Sequence, residues 1–342
     1  MMRCKICGKQ EIIAKELGVC ADCIKQRPEE AKPFVIQAHR KSRRRFGLVE
    51  EPPKKGVECK LCVNNCRIPE GEKGYCGVRA NINGRLINLA GTSKAVAEWY
   101  YDALPTNCVA SWCCSALDKS YPLKNLAVFY GACTFNCLYC QNWSFKENTL
   151  FLAPKISAEE LASKVDENTY CICYFGGDPT PQIAHAIKTS KLALDRKSVA
   201  ICFETNGSMN KHVLKEASEL SLESNGIIKF DLKAWNEELH RALTGVTNKQ
   251  TLENFEYLAN RGNPIVASTL LVPGYVDVSE VKKIAEFIAS LDENIPYSLL
   301  AFYPHFYMRD LPTTSRKQAE ECYRAAKKYL KNVRIGNVHL LS

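Results

Sequence analysis

The sequence contains no run of about 18 apolar residues, the length a membrane-spanning helix needs, and no basic segment leading into a short apolar stretch of the secretory kind. These absences point to a cytoplasmic protein with no membrane partner. Charge imbalance is also missing from most of the chain. Residues 57–342 carry 32 Lys/Arg against 30 Asp/Glu, while residues 1–56 carry 14 against 7, so any acidic partner is confined to the first segment. No Asp-x-His-x-x-Gly cobalamin signature occurs. Cysteine, in contrast, is abundant, with 18 in 342 residues. In a small secreted protein that number would mean disulfides. Here eight of the cysteines fall in Cys-x2-Cys pairs, which in a reducing compartment read as metal sites. The length suits one large domain with a smaller attachment.

Residues 1–27 hold Cys4, Cys7, Cys20 and Cys23 as two Cys-x2-Cys knuckles. Four thiolates from two tight turns make a tetrahedral zinc site that replaces a core too small to fold alone; a redox pair or an iron–sulfur cluster are the alternatives. Residues 28–56 read as a linker with Pro28, Pro33, Pro52 and Pro53 and the run from His39 to Arg45. That run is either a solvated connector or a contact for nucleic acid or an acidic protein surface, since charge alone does not specify phosphate binding. In residues 57–125 a second group, Cys59, Cys62, Cys66 and Cys76, suggests another closed metal site, zinc or a second iron–sulfur cluster. Cys108, Cys113 and Cys114 follow in a stretch without regular pattern and suit either an auxiliary cluster or buried free thiols.

Residues 126–342 are organised around Leu126 to Trp143, an apolar strand that runs into a loop carrying Cys133, Cys137 and Cys140. Three thiolates can ligate three irons of a [4Fe–4S] cluster and leave the fourth iron open. Zinc would want a fourth protein ligand, and none follows nearby. Downstream, short apolar runs alternate with amphipathic segments, the pattern of βα units and a parallel sheet. The strands fall at 126–131, 171–176, 199–204, 226–232, 264–271 and 296–303. Helices are expected near 157–165, 180–194, 210–222, 236–261 with a break at Gly245, 278–291 and 314–330. The expected fold is α/β, a partial (β/α)6 TIM-type barrel with small Cys-rich N-terminal modules; a doubly wound sheet is the alternative. Either places the chemistry at the C-terminal ends of the strands.

The Cys-x3-Cys-x2-Cys loop, followed at the second strand end by Gly176-Gly177-Asp178-Pro179, resembles the radical S-adenosylmethionine (SAM) superfamily. The leader Cys59-x-x-Cys62-x3-Cys66 with Gly74-x-Cys76-Gly77-Val78-Arg79 is similar to the pyruvate formate-lyase activating enzyme-like branch, in particular its AmmeMemoRadiSam subgroup. The resemblance implies SAM chelated by the open iron and bound by the Gly176–Gly177 turn, with Asp178 replacing a more usual Glu. It also gives roles to the third strand end, Glu204-Thr205-Asn206-Gly207, and the fourth, Asp231-Leu232-Lys233. Glu204, Thr205, Asp231 and Lys233 would bind the methionine moiety and a monovalent cation. Tyr139 would lie against adenine, and His305, after the sixth strand, would contact SAM or substrate.

What the resemblance implies is an enzyme that takes one electron from a ferredoxin or flavodoxin type donor, cleaves SAM to a 5′-deoxyadenosyl radical and abstracts hydrogen from a protein or peptide. The outcome would be glycyl-radical activation or another modification, C-methylation with a cobalamin at an unrecognised site included. A nucleic-acid-binding or RNA-modifying protein docked by the basic N-terminus is the rival. An iron–sulfur electron carrier is a third reading, but it has no need of the strand-end motifs.

Overall fold

The computed structural model describes residues 1–106 and 108–342. At its centre lies a nine-stranded sheet. Seven strands run parallel in chain order: Lys124–Tyr130, Thr169–Gly176, Ala200–Thr205, Ile228–Asp231, Ile265–Leu271, Tyr297–Ala301 and Val333–Gly336. Because each strand neighbours the next, right-handed crossovers carry every helix to the same face. The order of these parallel strands never reverses among the described residues, which removes the doubly wound alternative and leaves the α/β partial-barrel arrangement. Outward side chains such as Ile172, Tyr174, Phe203 and Phe230 share one core with Ile183, Leu214, Phe255 and Ile284 of the surrounding helices. Asn236, Asp277 and Ser315 cap three of those helices by accepting backbone N–H groups of the first turn. The break near Gly245 divides two helices, since Glu237–Thr244 ends at that glycine with φ 79°, a conformation that favours glycine.

Three elements depart from the sequence pattern. Val333–Gly336 is a seventh parallel strand beyond the expected six, and its four residues are too few to show a period. Lys94–Ala103 pairs antiparallel with Lys124–Tyr130, setting Ala97 opposite Tyr130, so the sheet reaches into the Cys-rich leader. Its exposed Glu98, Tyr100 and Tyr101 obscure the alternation of a buried strand. The third element, Pro28–Arg44, is a 17-residue helix rather than a linker. Pro28 stands in its first turn, where a missing N–H costs nothing. Glu29 and Glu30 complement its positive end, and Lys41, Arg43 and Arg44 its negative end. His39, Ser42 and Arg43 of the basic run are buried. Arg40, Lys41 and Arg44 pair with Glu51, Glu16 and Glu50. No helix among the described residues is long and apolar enough to cross a membrane.

The N-terminal module packs directly on the barrel. The Tyr275 hydroxyl accepts from the Ala14 N–H at 2.9 Å and donates to the Val19 carbonyl at 3.1 Å. Leu17, Val19 and Ile24 thereby join the main core.

Candidate active site

The strand Lys124–Tyr130 ends in Gly131 and Ala132, and Ala132 takes φ 74°, rare for a residue with a side chain. Two strand ends are locked together here. The Gly177 N–H donates to the Tyr130 carbonyl at 2.9 Å, and the Asp178 N–H to the Ala132 carbonyl at 3.0 Å. A Cβ on Gly177 would stand 1.9 Å from the Ala132 oxygen, so this approach admits only glycine. The cluster loop is clamped from the other side. Asn136 and Leu138 donate their N–H groups to the Thr244 and Leu243 carbonyls, and Tyr307 donates to the Leu138 carbonyl. The buried Asn136 Oδ1 accepts from Lys146 Nζ at 2.7 Å and from Ser42 Oγ at 3.1 Å, while its Nδ2 meets His39 Nδ1 at 2.9 Å. The helix Pro28–Arg44 thus braces the loop that carries the three thiols. Burial lowers His39 to about 4 and Lys146 to about 8.

Cys133, Cys137 and Cys140 line a single cavity of about 160 Å³ at the C-terminal ends of the strands. Burial raises all three thiols and pushes Cys140 up to about 12. Thiols so placed would become thiolates at neutral pH when a bound metal takes the sulfur and the displaced proton leaves to solvent. Gly176, Gly177, Asp178, Glu204, Thr205, Asp231, Lys233 and Tyr139 line the same cavity.

Asp178 is a fastener. Its Oδ2 accepts from Thr205 Oγ1 at 2.9 Å and from the Asn206 N–H at 2.8 Å, and its Oδ1 from the Thr180 N–H at 2.8 Å. Asp231 accepts from Lys233 Nζ at 2.9 Å and from Ser268 Oγ at 2.7 Å. Glu204 faces Lys229 at 3.7 Å, so each carboxylate expected beside a cation is matched by a lysine. The Tyr139 hydroxyl is buried with no hydrogen-bond partner, an orphan that a ligand would satisfy. His305 is not among the residues lining this cavity; its ring lies 5.9 Å from that of Tyr303, just before the turn Phe306–Met308. Asn206, Ser268 and Lys146 escape the sequence reading. Asn206 donates to Thr134 Oγ1 at 2.7 Å and lies 3.7 Å from Cys133 Sγ, and its adjacency to Thr205 is the signal that could have found it.

The other cysteine groups differ in spread. Cys4, Cys7, Cys20 and Cys23 place their sulfurs within 4.8 Å of one another, with Cys4–Cys23 and Cys7–Cys20 both at 3.8 Å. A tetrahedral ion with metal–sulfur bonds of about 2.3 Å requires edges of about 3.8 Å. Cys59, Cys62, Cys66 and Cys76 line one small cavity beside Thr134. No three of them meet the 4.8 Å spacing among the described residues.

A loop of three thiols, open on a polar cavity where parallel strands end, could hold a metal cluster with one side kept for a second ligand. Comparison with known proteins gives that site its family. The model of the radical SAM superfamily matches residues 127–288. An uncharacterized protein of Methanocaldococcus jannaschii is 28% identical over 289 residues, 82% of this chain and 81% of that one. A protein of the same organism named as a glycyl-radical enzyme activating enzyme is 30% identical over 213 residues, 60% of this chain and 77% of its own length. The pyruvate formate-lyase 1-activating enzyme of Escherichia coli strain K12 is 27% identical over 202 residues, 56% of this chain and 78% of that one. The chain belongs to the radical SAM superfamily. It is an enzyme of SAM cleavage and radical chemistry, with a [4Fe–4S] cluster and SAM as the cofactors its family implies.

Proposed function

We propose that the enzyme abstracts hydrogen from a protein or peptide substrate, by glycyl-radical activation or a related modification. The observation that carries this reading is the cavity itself, in which three thiols, a polar strand-end wall and the orphan Tyr139 hydroxyl face one space. Two relatives named as activating enzymes supply the substrate class. Cys133, Cys137 and Cys140 would hold the cluster. Asp178, Thr205 and the Gly176–Gly177 turn would shape the SAM seat, Asp231 and Lys233 would meet its charged end, and Tyr139 its adenine. The bound cofactors supply reductive cleavage of SAM to a hydrogen-abstracting radical. The protein's own part is to orient that radical and exclude water, because abstraction needs the reacting atoms held within about 3.5 Å. Cys4, Cys7, Cys20 and Cys23 are assigned to zinc.

The test is anaerobic. Protein reconstituted with iron and sulfide is given dithionite and SAM, and 5′-deoxyadenosine is measured for the wild type and Cys137→Ala. Production by the wild type alone is the expected result. If SAM neither yields 5′-deoxyadenosine nor alters the EPR signal of the reduced cluster, the reading falls. Appearance of a glycyl-radical EPR signal on an added candidate protein then tests the substrate class.

A further inference from the structure

A second concentration of sulfur lies on the concave face of the barrel, below the site just described. Cys171 and Cys173 alternate inward along one strand and Cys202 follows on the next, paired with Cys173. The loop after Lys94–Ala103 closes this end of the barrel and brings up Cys108 and Cys114. All five thiols line a common cavity of about 30 Å³ together with Lys229, more room than one water-sized site. Ala110 and Ala200 pack around these thiols together with Ile227 and Val266.

Lys229 makes these thiols more than core filling. Its side chain is 1% exposed, and its Nζ lies 2.9 Å from Cys173 Sγ, 3.2 Å from Cys108 Sγ and 3.7 Å from Glu204. A buried ammonium is stable only when its charge and all three N–H donors are answered. Neutral thiols are weak acceptors, whereas metal-bound thiolates are negative and accept strongly. One carboxylate at 3.7 Å does not answer the lysine alone.

We infer that four thiols drawn from Cys108 and Cys114 of the floor loop and Cys171, Cys173 and Cys202 of the strands hold an additional iron–sulfur cluster, charge-balanced by Lys229. No three of these thiols lie within 4.8 Å of one another among the described residues, so they do not present the compact face that one tetrahedral ion needs. The thiolates of a cluster are separated by the iron–sulfur core as well as by their own bonds and stand wider apart. Lys229 bridges this site to Glu204, which lines the SAM cavity, so the two centres share a wall. The inference does not depend on the substrate.

Full-length protein purified and reconstituted anaerobically is compared with Cys108→Ser/Cys114→Ser and Cys171→Ser/Cys202→Ser, which remove thiols from different elements. Iron, zinc and acid-labile sulfide are counted, and EPR spectra of the reduced proteins are recorded with and without SAM. Both variants should lose the same complement of iron and sulfide and the same SAM-insensitive signal, while the SAM-sensitive signal persists. Lys229→Met should keep the iron and shift that cluster's reduction potential to a more negative value. If one double variant does not fold, the other decides. A folded double variant with wild-type iron and spectra overturns the inference, as does zinc in place of iron at these thiols or a wild type without a SAM-insensitive cluster.

Discussion

The four thiols of the N-terminal module and the three of the barrel loop are built on opposite plans. In the first, sulfurs 3.8 Å apart close around a space for one ion. In the second, the sulfurs stand wider, the ligand count stops at three, and carboxylates, a lysine and an orphan hydroxyl face the vacant side. A closed set stabilises a fold, and an open set leaves a coordination position for chemistry. The difference teaches that ligand number is a matter of local spacing, whereas the choice between ion and cluster rests on three-dimensional spread.

The contrast is sharpest in Cys137→Ala, which should reduce 5′-deoxyadenosine formation to background while leaving zinc content unchanged. Chelation of the N-terminal metal should have the complementary effect. Residues 1–27 should lose hydrogen-exchange protection with release of stoichiometric zinc, as expected when metal binding supplies the folding energy of a small module. SAM cleavage should survive in part. If it persists at full rate after the module has unfolded, the packing of the module on the barrel through Tyr275 is without consequence for turnover.

Acid should strain the brace at Asn136 next. His39 is held neutral by burial, with its pKa lowered from 6.5 to about 4. The unfolded chain therefore binds the extra proton first, and the associated stability is present above pH 6.5 and lost as pH falls through about 4. The loss is about 3 kcal/mol for this group. Urea midpoints of the wild type and His39→Gln, measured from pH 7 to 4, should converge as the medium is acidified. A difference independent of pH would remove the buried neutral imidazole from the account.

Asp178→Asn weakens the fastening of two strand ends. With hydrogen bonds to a charged group worth about 1.5–3 kcal/mol each, the KM for SAM should rise at least about tenfold with smaller change in cluster content. Tyr139→Phe is the mildest test. SAM binding should weaken by about 1 kcal/mol, roughly fivefold, while the ligand-free protein holds or gains stability because an unsatisfied hydroxyl is gone. Isothermal titration and thermal melts would separate the two effects.

The open site was largely legible in the sequence because its parts are local. Cys133, Cys137 and Cys140 share one loop, and Gly176–Asp178, Glu204–Thr205 and Asp231–Lys233 each terminate a strand whose apolar run marks its own end. His305 follows the sixth strand, and its ring lies 5.9 Å from that of Tyr303, just before the turn Phe306–Met308. The helix Pro28–Arg44 was hidden by its prolines and its run of charge, since partners such as Glu16 and Glu50 are distant or follow a turn. Cys171, Cys173 and Cys202 look like ordinary strand residues; only the parallel register sets them side by side above the loop of Cys108 and Cys114.

The contact of Ser42 and His39 with Asn136 has a practical side. A protease that trimmed the first 44 residues would leave a barrel with its secondary structure and a slack thiol loop, easily mistaken in the laboratory for damage by air. Intact-mass spectrometry before each anaerobic assay would tell a clipped preparation from an oxidised one, and a synthetic peptide spanning Pro28–Arg44 should restore turnover only to the former.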